Sequence, residues 1–485
     1  MKVSVVPSEV MNILLASSEM TPYAKTGGLG DVLAALPSAL RARGHSISVV
    51  LPLYHSLKKS LPELQPTKLT LRTKLGAFEV SARVWNGVAA NGVSIFAIER
   101  DEYYDRNHLY GGAMGDYFDN AARFIFFSKM IVELARYIDP QPEIIHLNDW
   151  QTALVPALVK NAALPYKTVL TIHNLSYQGV FPNYDFSLTN LPGHWFHVDA
   201  LEYYGRINLL KSGILACDQV TTVSPSYAEE ILTPQFGCGL EKPLQSRAAS
   251  LTGILNGIDT DAWNPVSDPW IDEPYDMLSL KNKKECKKAL LKEIGLKKSL
   301  TKPLVASISR LVDQKGFNLV LEVMPKLLKS GASFVLLGSG DAAYERAFAK
   351  LAEDHPDQIA VKIGFSEGLA HRIEAGADLF LMPSLFEPCG LNQMYSQRYG
   401  TVPVVHDIGG LRDSVKAWNG RKKTGTGFKF SRATAESLWK QLKAALDLLE
   451  HKEGWNAIRS NAMQADFSWN RVVPKYEAIY KKAMA

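Results

Sequence analysis

The chain has 485 residues, 46% hydrophobic and 21% charged, a length beyond what one hydrophobic core fills, so two or more domains are expected. Its 54 Lys plus Arg against 49 Asp plus Glu leave a formal charge of only +5; this argues against a nucleic-acid binder, which concentrates basic residues on one face, and suits an anionic small substrate. Four cysteines at neither zinc nor redox spacing (Cys217, Cys238, Cys286, Cys389) point to a reducing, cytoplasmic setting, and no apolar run is long enough to cross a membrane. Residues Met1 to Val10 lack a signal-peptide core. They read as an extension or a misassigned start, with Met11-Asn12-Ile13-Leu14-Leu15 opening the first strand.

In chain order the pattern is short apolar runs that end in Gly, Ser, His or Asn, each followed by a helical stretch. Asn12 to Ala16 is predicted as a strand, Asp31 to Arg43 as a helix closed by Gly44, and Ile47 to Leu51 as the next strand. Phe78 to Val84 and Val93 to Ile98 read as a hairpin around Asn86-Gly87. Further strands are expected at Ile144 to Leu147, Val169 to Ile172, Val220 to Val223 and Thr252 to Leu255. A boundary falls at Asn256-Gly257 to Pro274, where Pro, Asp and Trp replace periodic apolar residues. A second series follows: a lysine-rich solvated helix over Lys281 to Lys298, a strand at Leu304 to Ser309, a helix at Leu319 to Leu328, and strands at Phe334 to Leu337, Val361 to Ile363, Leu379 to Met382 and Val402 to Val405. Strands alternating with helices predict parallel sheets covered on both faces. The expected fold is therefore α/β, two Rossmann-like doubly wound domains facing a deep interdomain cleft: residues 1–255 with a C-terminal helix at 467–485 packing back, and residues 256–466. Ligands of such sheets bind beyond the carboxyl ends of the strands, so the residues just after strands are the ones to examine.

The first is the loop Lys25-Thr26-Gly27-Gly28-Leu29-Gly30-Asp31, between the first strand and the first helix. Its glycines let the backbone approach a ligand and turn N–H groups inward, the helix start favours an anion, and Lys25 adds a full positive charge. It is not a Walker loop, whose Gly-x-x-x-x-Gly-Lys-Ser/Thr order is absent; the competing reading is an ordinary tight turn. The second is Ser309-Arg310-Leu311 with Gln314-Lys315-Gly316. Arg matches phosphate oxygens in a fork and Lys acts as a point charge. A unit-charge pair at a 4 Å separation is worth about 1 kcal/mol in bulk water and about 4 kcal/mol at an effective dielectric of 20, so two cations in an enclosed site could stabilise a diphosphate without a metal. The third is Pro383-Ser384-Leu385-Phe386-Glu387-Pro388-Cys389-Gly390-Leu391-Asn392, read as leading into a helix from Gly390 to Tyr399. Glu387, set by Pro388, is placed to accept hydrogen bonds from sugar hydroxyls, and Cys389 is read as packing rather than as a nucleophile. His146-Leu147-Asn148-Asp149 and His173-Asn174 end two other strands.

Two motifs compete with this reading. Gly338-Ser339-Gly340-Asp341-Ala342-Ala343 fits a dinucleotide fingerprint and would make the chain a nicotinamide-dependent oxidoreductase, but it lies mid-domain, and Asp354 or Asp357 would have to bind the ribose from a polar loop. Asp259-Thr260-Asp261 has the form of a metal-binding Asp-x-Asp and is read as structural.

Taken together, Lys25 to Asp31, His146 to Trp150, Thr171 to Asn174, Val223-Ser224-Pro225-Ser226-Tyr227, Asn256-Gly257-Ile258-Asp259, Ser309 to Gly316 and Phe386 to Asn392 resemble, in that order and over nearly the whole chain, the bacterial glycogen synthase and starch synthase family. The resemblance implies a GT-B glycosyltransferase that moves glucose from ADP-glucose to the non-reducing end of an α-1,4-glucan (glycogen or a malto-oligosaccharide) with retention of configuration. It implies no metal and no cofactor beyond the co-substrate. It implies that Arg310 and Lys315 hold the phosphates, that Glu387 and His173 flank the donor glucose, and that Phe365 stacks on adenine. The backbone at Gly390, Leu391 and Asn392 would receive phosphate, and Lys25, Gly28, Asp31, Asp149 and Asn256 complete the donor-binding set. The chain departs from many relatives at Asn148, where they carry histidine, at Asn392, where they carry threonine, and at Gly239-Leu240-Glu241-Lys242. A glucosyltransferase using UDP-glucose and a catalytically silent glucan-binding paralogue are the remaining alternatives.

Overall fold

The computed structural model describes residues 9–61, 63–112, 115–296 and 300–485. Its contacts divide the chain into two units: one runs to Ile254 and takes back Trp469–Ala485, the other is Leu255–Ser468.

The first unit is built on a nine-stranded sheet. From edge to edge it runs Leu251–Gly253, Gln219–Thr222, Lys167–Ile172, Ile144–Asn148, Asn12–Ala16, Ser46–Pro52, Ser94–Glu99, Phe78–Val88 and Gln65–Leu75. The first seven are parallel, and the last two add antiparallel. Continuous apolar runs such as Ile13-Leu14-Leu15 are buried, as parallel strands covered on both faces require. Helix Gly28–Ala42 buries Leu29, Val32, Leu33, Leu36 and Leu40, a stripe at helical spacing that faces the core.

Two features of this unit differ from the expectation. The hairpin turns at Ala89 to Val93, not at Asn86-Gly87, which pair within the strand with Phe96 and Ile95. Gly87 is there because a Cβ would lie 3.1 Å from the Leu64 backbone; its glycine serves close approach rather than a turn. Strand Gln65–Leu75 was missed, being largely exposed and lacking an apolar run. In the second unit, the lysine-rich helix is shorter than expected, Lys283–Glu293, and Lys297 and Lys298 lie outside the described residues.

The second unit holds six parallel strands in the order Ile359–Ile363, Ser333–Gly338, Leu304–Ile308, Leu379–Met382, Val402–His406 and Phe428–Phe430. Counted along the chain this is 3-2-1-4-5-6, the doubly wound order whose ligand crevice lies where the winding reverses, beyond its first and fourth strands. Those are Leu304–Ile308 and Leu379–Met382, which precede the Arg310 and Glu387 loops. In the first unit the reversal lies between Asn12–Ala16 and Ile144–Asn148, which precede the glycine loop and Asp149.

The last helix, Trp469–Met484, packs on the first unit. Its Tyr480 hydroxyl meets His146 Nδ1 at 2.9 Å, and Glu477 accepts from Arg43 at 2.5 and 2.9 Å and from His45 Nε2 at 3.0 Å. Because His45 Nδ1 accepts the Met11 N–H at 3.2 Å, its Nε2 carries the proton given to Glu477. Burial alone would raise the Glu477 carboxyl, but the Arg43 and His45 hydrogen bonds outweigh it and hold the group below its ordinary value. A depressed carboxyl contributes stability above its unfolded pKa of roughly 4.3 and loses it as pH falls. Glu477→Gln is therefore expected to lower stability by about 1–3 kcal/mol at neutral pH. The difference from the parent in thermal midpoint should shrink as pH drops below about 4.

Candidate active site

In the second unit, the loops after Leu304–Ile308 and Leu379–Met382 are laced together. Leu385 N donates to Gln314 O at 2.8 Å, Gln314 Nε2 donates to Phe386 O at 3.2 Å, and Asn392 Nδ2 donates to Ile308 O at 2.7 Å. Gly316 permits this approach: it has φ +70° and a Cβ would lie 2.1 Å from Pro383 O. At the centre Lys315 Nζ meets Glu387 Oε2 at 2.6 Å, and the Ser384 hydroxyl donates to the same oxygen at 2.9 Å. Both side chains are largely removed from solvent, 16% and 7% exposed, so the pair is only weakly screened. Lys315 is thus not a bare cation as the sequence suggested; it compensates Glu387, whose two bonds fall on Oε2. Arg310 is exposed on the adjoining loop.

The Gly390 segment differs from the expected helix start. The helix is Asn392–Arg398, and Gly390 sits before it with φ +70°. A Cβ there would lie 2.5 Å from Gln393 Oε1, so only glycine fits this turn. The Asn392 side chain acts inside the unit, tying the turn to the strand end at Ile308. Cys389 is buried, and burial pushes its thiol up to about 12 against hydrogen bonds from the Asn256 backbone and side chain. A thiol held protonated is no nucleophile. Asn256, expected among the donor ligands, spends these donors on Cys389 Sγ and is only 5% exposed. Phe365, beyond strand Ile359–Ile363, is 76% exposed and presents an open ring.

In the first unit, the glycine loop was read as an anion cradle. The structure fills part of it from within. Glu19, 3% exposed, accepts from Thr26 N at 2.7 Å, Gly27 N at 3.2 Å, Thr26 Oγ1 at 2.6 Å and the Tyr110 hydroxyl at 2.7 Å. Lys25 in turn pairs with Asp31 at 2.6 Å, and Asp31 also accepts from Thr21 Oγ1 at 3.1 Å. Gly28 is exposed as the first residue of its helix. Asp31 therefore braces the loop, and Glu19 is the organising residue that sequence reading passed over. Its position just beyond the first strand, in Ser17-Ser18-Glu19, was the available signal.

The neighbouring strand ends carry Asn148, Asp149 and His173. Asp149 has φ +58°, a conformation that costs a non-glycine residue about 1–3 kcal/mol and persists where the surroundings impose it. Here its Oδ1 accepts the His173 N–H at 2.7 Å, and it also receives the Asn174 N–H. Burial raises its carboxyl to about 7 despite these bonds. Burial lowers His173 and His146 each to about 3, so both imidazoles are neutral. His173 Nε2 lies 2.9 Å from Asn148 Oδ1. Tyr227 of the Val223–Tyr227 segment accepts the Leu175 N–H at 3.1 Å, which anchors the loop after His173.

The competing motifs are structural. At Gly338 and Gly340, Cβ atoms would lie 1.9 Å from Ser309 O and 2.4 Å from Leu311 O; the glycines let the Arg310 loop cross the next strand end, where Leu311 N donates to Ser339 O at 2.9 Å. Asp259 Oδ1 caps its own turn, accepting from Asp261 N at 2.9 Å and Ala262 N at 3.0 Å.

Residues 12–246 match the family described as starch synthase catalytic domain, and residues 292–461 match glycosyl transferases group 1. The chain is 45% identical to a glycogen synthase of Anaeromyxobacter dehalogenans over 97% of its own length and 99% of the relative's. It is 42% identical to glycogen synthase 2 of Geobacter sulfurreducens over 98% and 99%. Among solved structures, the catalytic domain of starch synthase IV from Arabidopsis thaliana, bound to ADP and acarbose, superposes with a TM-score of 0.91 at 33% identity, covering 98% of this chain and 99% of that one. Fold, switch-point loops and matches together define a two-domain α/β glycosyltransferase of the GT-B type. The chain belongs to the glycogen synthase and starch synthase family.

The lacing of the two loops makes a direct test. Gly316→Ala is expected to force Pro383 away and cost about 1–3 kcal/mol, with transfer activity falling together with the thermal midpoint. Unchanged activity and melting would show that the close approach at Pro383 does not constrain the site.

Proposed function

We propose that this enzyme extends an α-1,4-glucan, glycogen or a malto-oligosaccharide, by moving glucose from ADP-glucose to its non-reducing end with retention of configuration, without a metal or other cofactor. The observation that carries the donor assignment is the switch-point cluster of Arg310, the Lys315–Glu387 pair and the Gly390 turn. Arg310 and Lys315 supply positive charge where a diphosphate leaving group gains negative charge, an effect that is strongest in a preorganised, water-poor site. Glu387 Oε1 is the carboxylate oxygen left to accept a sugar hydroxyl, because Lys315 and Ser384 both engage Oε2. Without Lys315, the carboxylate would repel the diphosphate. Gly390, Leu391 and Asn392 offer backbone N–H groups to phosphate, and exposed Phe365 offers a stacking face for the base. In the first unit Lys25, with Gly28 and Asp31 in its loop, contacts the sugar nucleotide, and neutral His173, backed by Asp149, positions the glucose. Asn256 supports the donor site through Cys389 rather than by direct contact. The acceptor hydroxyl attacks from the face that ADP leaves, and a leaving-group phosphate oxygen takes its proton. The ADP and acarbose in the Arabidopsis relative support a nucleoside diphosphate and an oligosaccharide as the two substrates.

A cytoplasmic location accords with this chemistry and with the four free thiols. Among the described residues, no helix is long and apolar enough to cross a membrane.

Turnover assays with ADP-glucose and UDP-glucose, each with and without glycogen, test the assignment. Glycogen-dependent turnover of ADP-glucose is expected, and turnover with UDP-glucose alone would overturn the donor. Arg310→Ala and Lys315→Ala should each lower kcat roughly a hundredfold. Lys315→Ala should also lower the thermal midpoint, since it leaves the buried Glu387 carboxylate uncompensated, whereas Arg310→Ala should not. Lys25→Ala should impair donor use and turnover more than glycogen binding, as measured by affinity electrophoresis.

A further inference from the structure

We propose that Asn148 is a positioning residue that locks His173 in its Nε2–H tautomer and so makes Nδ1 the nitrogen that accepts a hydrogen bond from the sugar. The inference deepens the proposed function and rests on the role given there to His173.

A backbone carbonyl fixes which way the Asn148 amide faces. Asn148 is 1% exposed, the last residue of strand Ile144–Asn148. Its side-chain nitrogen donates to Ala16 O at 3.1 Å on the neighbouring strand. A carbonyl oxygen can only accept, so the amide group facing it must be the NH₂, and Oδ1 must face the other way. Oδ1 lies 2.9 Å from His173 Nε2. An amide oxygen also can only accept, so Nε2 must carry the proton. A neutral imidazole has one N–H, hence Nδ1 carries the lone pair.

The ring cannot easily escape this assignment. The backbone N–H of His173 is held by Asp149 Oδ1, and Asn148 N donates to Thr152 Oγ1 at 2.8 Å while Thr152 Oγ1 returns a bond to Asn148 O at 3.0 Å. Both residues that meet across the 2.9 Å contact therefore have fixed backbones. Burial keeps the ring neutral, so the choice is between two tautomers and not between neutral and charged forms. His173 as a residue is half-buried, which leaves part of it accessible to a ligand. An Nδ1 acceptor fits a donor hydroxyl, whereas the opposite tautomer would turn the same nitrogen into a donor and require an acceptor there.

The test uses the full-length enzyme with ¹⁵N-labelled histidine, His173 being assigned by its loss in His173→Gln. Imidazole nitrogen shifts distinguish the two tautomers directly. The parent should show His173 with Nε2 protonated and Nδ1 bare. Asn148→Leu removes the acceptor and should give a mixture or the reverse tautomer, with kcat lowered roughly tenfold to a hundredfold, the range expected when a positioning contact is lost. Asn148→Asp supplies the control for folding. In its protonated form the carboxyl donates to Ala16 O through its O–H and accepts the Nε2–H through its C=O, so it should restore the parent tautomer and most of the turnover. A parent ring protonated at Nδ1, a Leu variant with unchanged His173 shifts, or an Asp variant impaired as deeply as the Leu variant would each overturn the proposal. A failure of glucosyl transfer in the parent would instead refute the proposed function, because the nitrogen shifts report the tautomer whether or not glucose is transferred.

Discussion

The contact on which the second unit's site depends is the ion pair between Lys315 and Glu387, closed at 2.6 Å. Each partner comes from a different loop, one after each of the two strands where the winding reverses. A buried carboxylate without a partner would be costly, and so would a buried ammonium. The pair therefore fixes the two loops against each other. The Gly316 approach, the Gln314 bonds and the Asn392 bond to Ile308 O then fall into place around it. In the function proposed above, the same pair settles an electrostatic conflict: a site that takes both a sugar and a diphosphate needs an acceptor for hydroxyls beside donors for phosphate, and the lysine keeps the carboxylate from opposing the phosphate.

The first unit solves a related problem with a different residue. Its glycine loop gathers N–H groups at a helix start, which favour negative charge. The negative charge that Thr26 and Gly27 receive is the protein's own, from Glu19. That carboxylate is itself tied through Tyr110 to the segment held by fully buried Arg123, whose guanidinium donates to Tyr103 O, Leu109 O and Asn120 Oδ1. The loop is thus preformed by an internal anion, whereas Lys25 is paired with partly exposed Asp31. Exposed ion pairs of this kind contribute little to stability, which leaves Lys25 free to exchange partners at small cost.

Much of this was legible in the sequence because buried parallel strands announce themselves as apolar runs and because ligand loops follow strand ends. Strand Leu379–Met382 fell where it was expected, and the Arg310 and Glu387 loops stand at the reversal point of the sheet. Glycines were less legible. Gly87, Gly338 and Gly390 each look like a turn, a fingerprint or a helix start, yet in each the missing Cβ makes room for a particular neighbour: Leu64, Ser309 O and Gln393. Which neighbour comes close is a tertiary fact with no local signature. Charge partners were illegible for the same reason. Lys315 lies 72 positions from Glu387, so a loop read by itself shows a bare cation and a bare carboxylate where the folded chain has a pair.

The protonation states bear on the kind of chemistry these residues can carry. Burial holds the Cys389 thiol protonated and the His173 imidazole neutral. The thiol therefore offers no thiolate, and the imidazole, held neutral, carries no acidic imidazolium proton. Asp149 is raised to about 7 and engaged with two backbone N–H groups, so its carboxyl holds a loop rather than standing open to a reacting carbon. What remains around the second unit's switch-point loops is fixed charge and fixed hydrogen-bond direction: Arg310, the Lys315–Glu387 pair and the backbone N–H groups at Gly390. A reaction whose leaving group is already a good one, and whose need is for charge stabilisation and orientation, is the reaction such a set of residues suits.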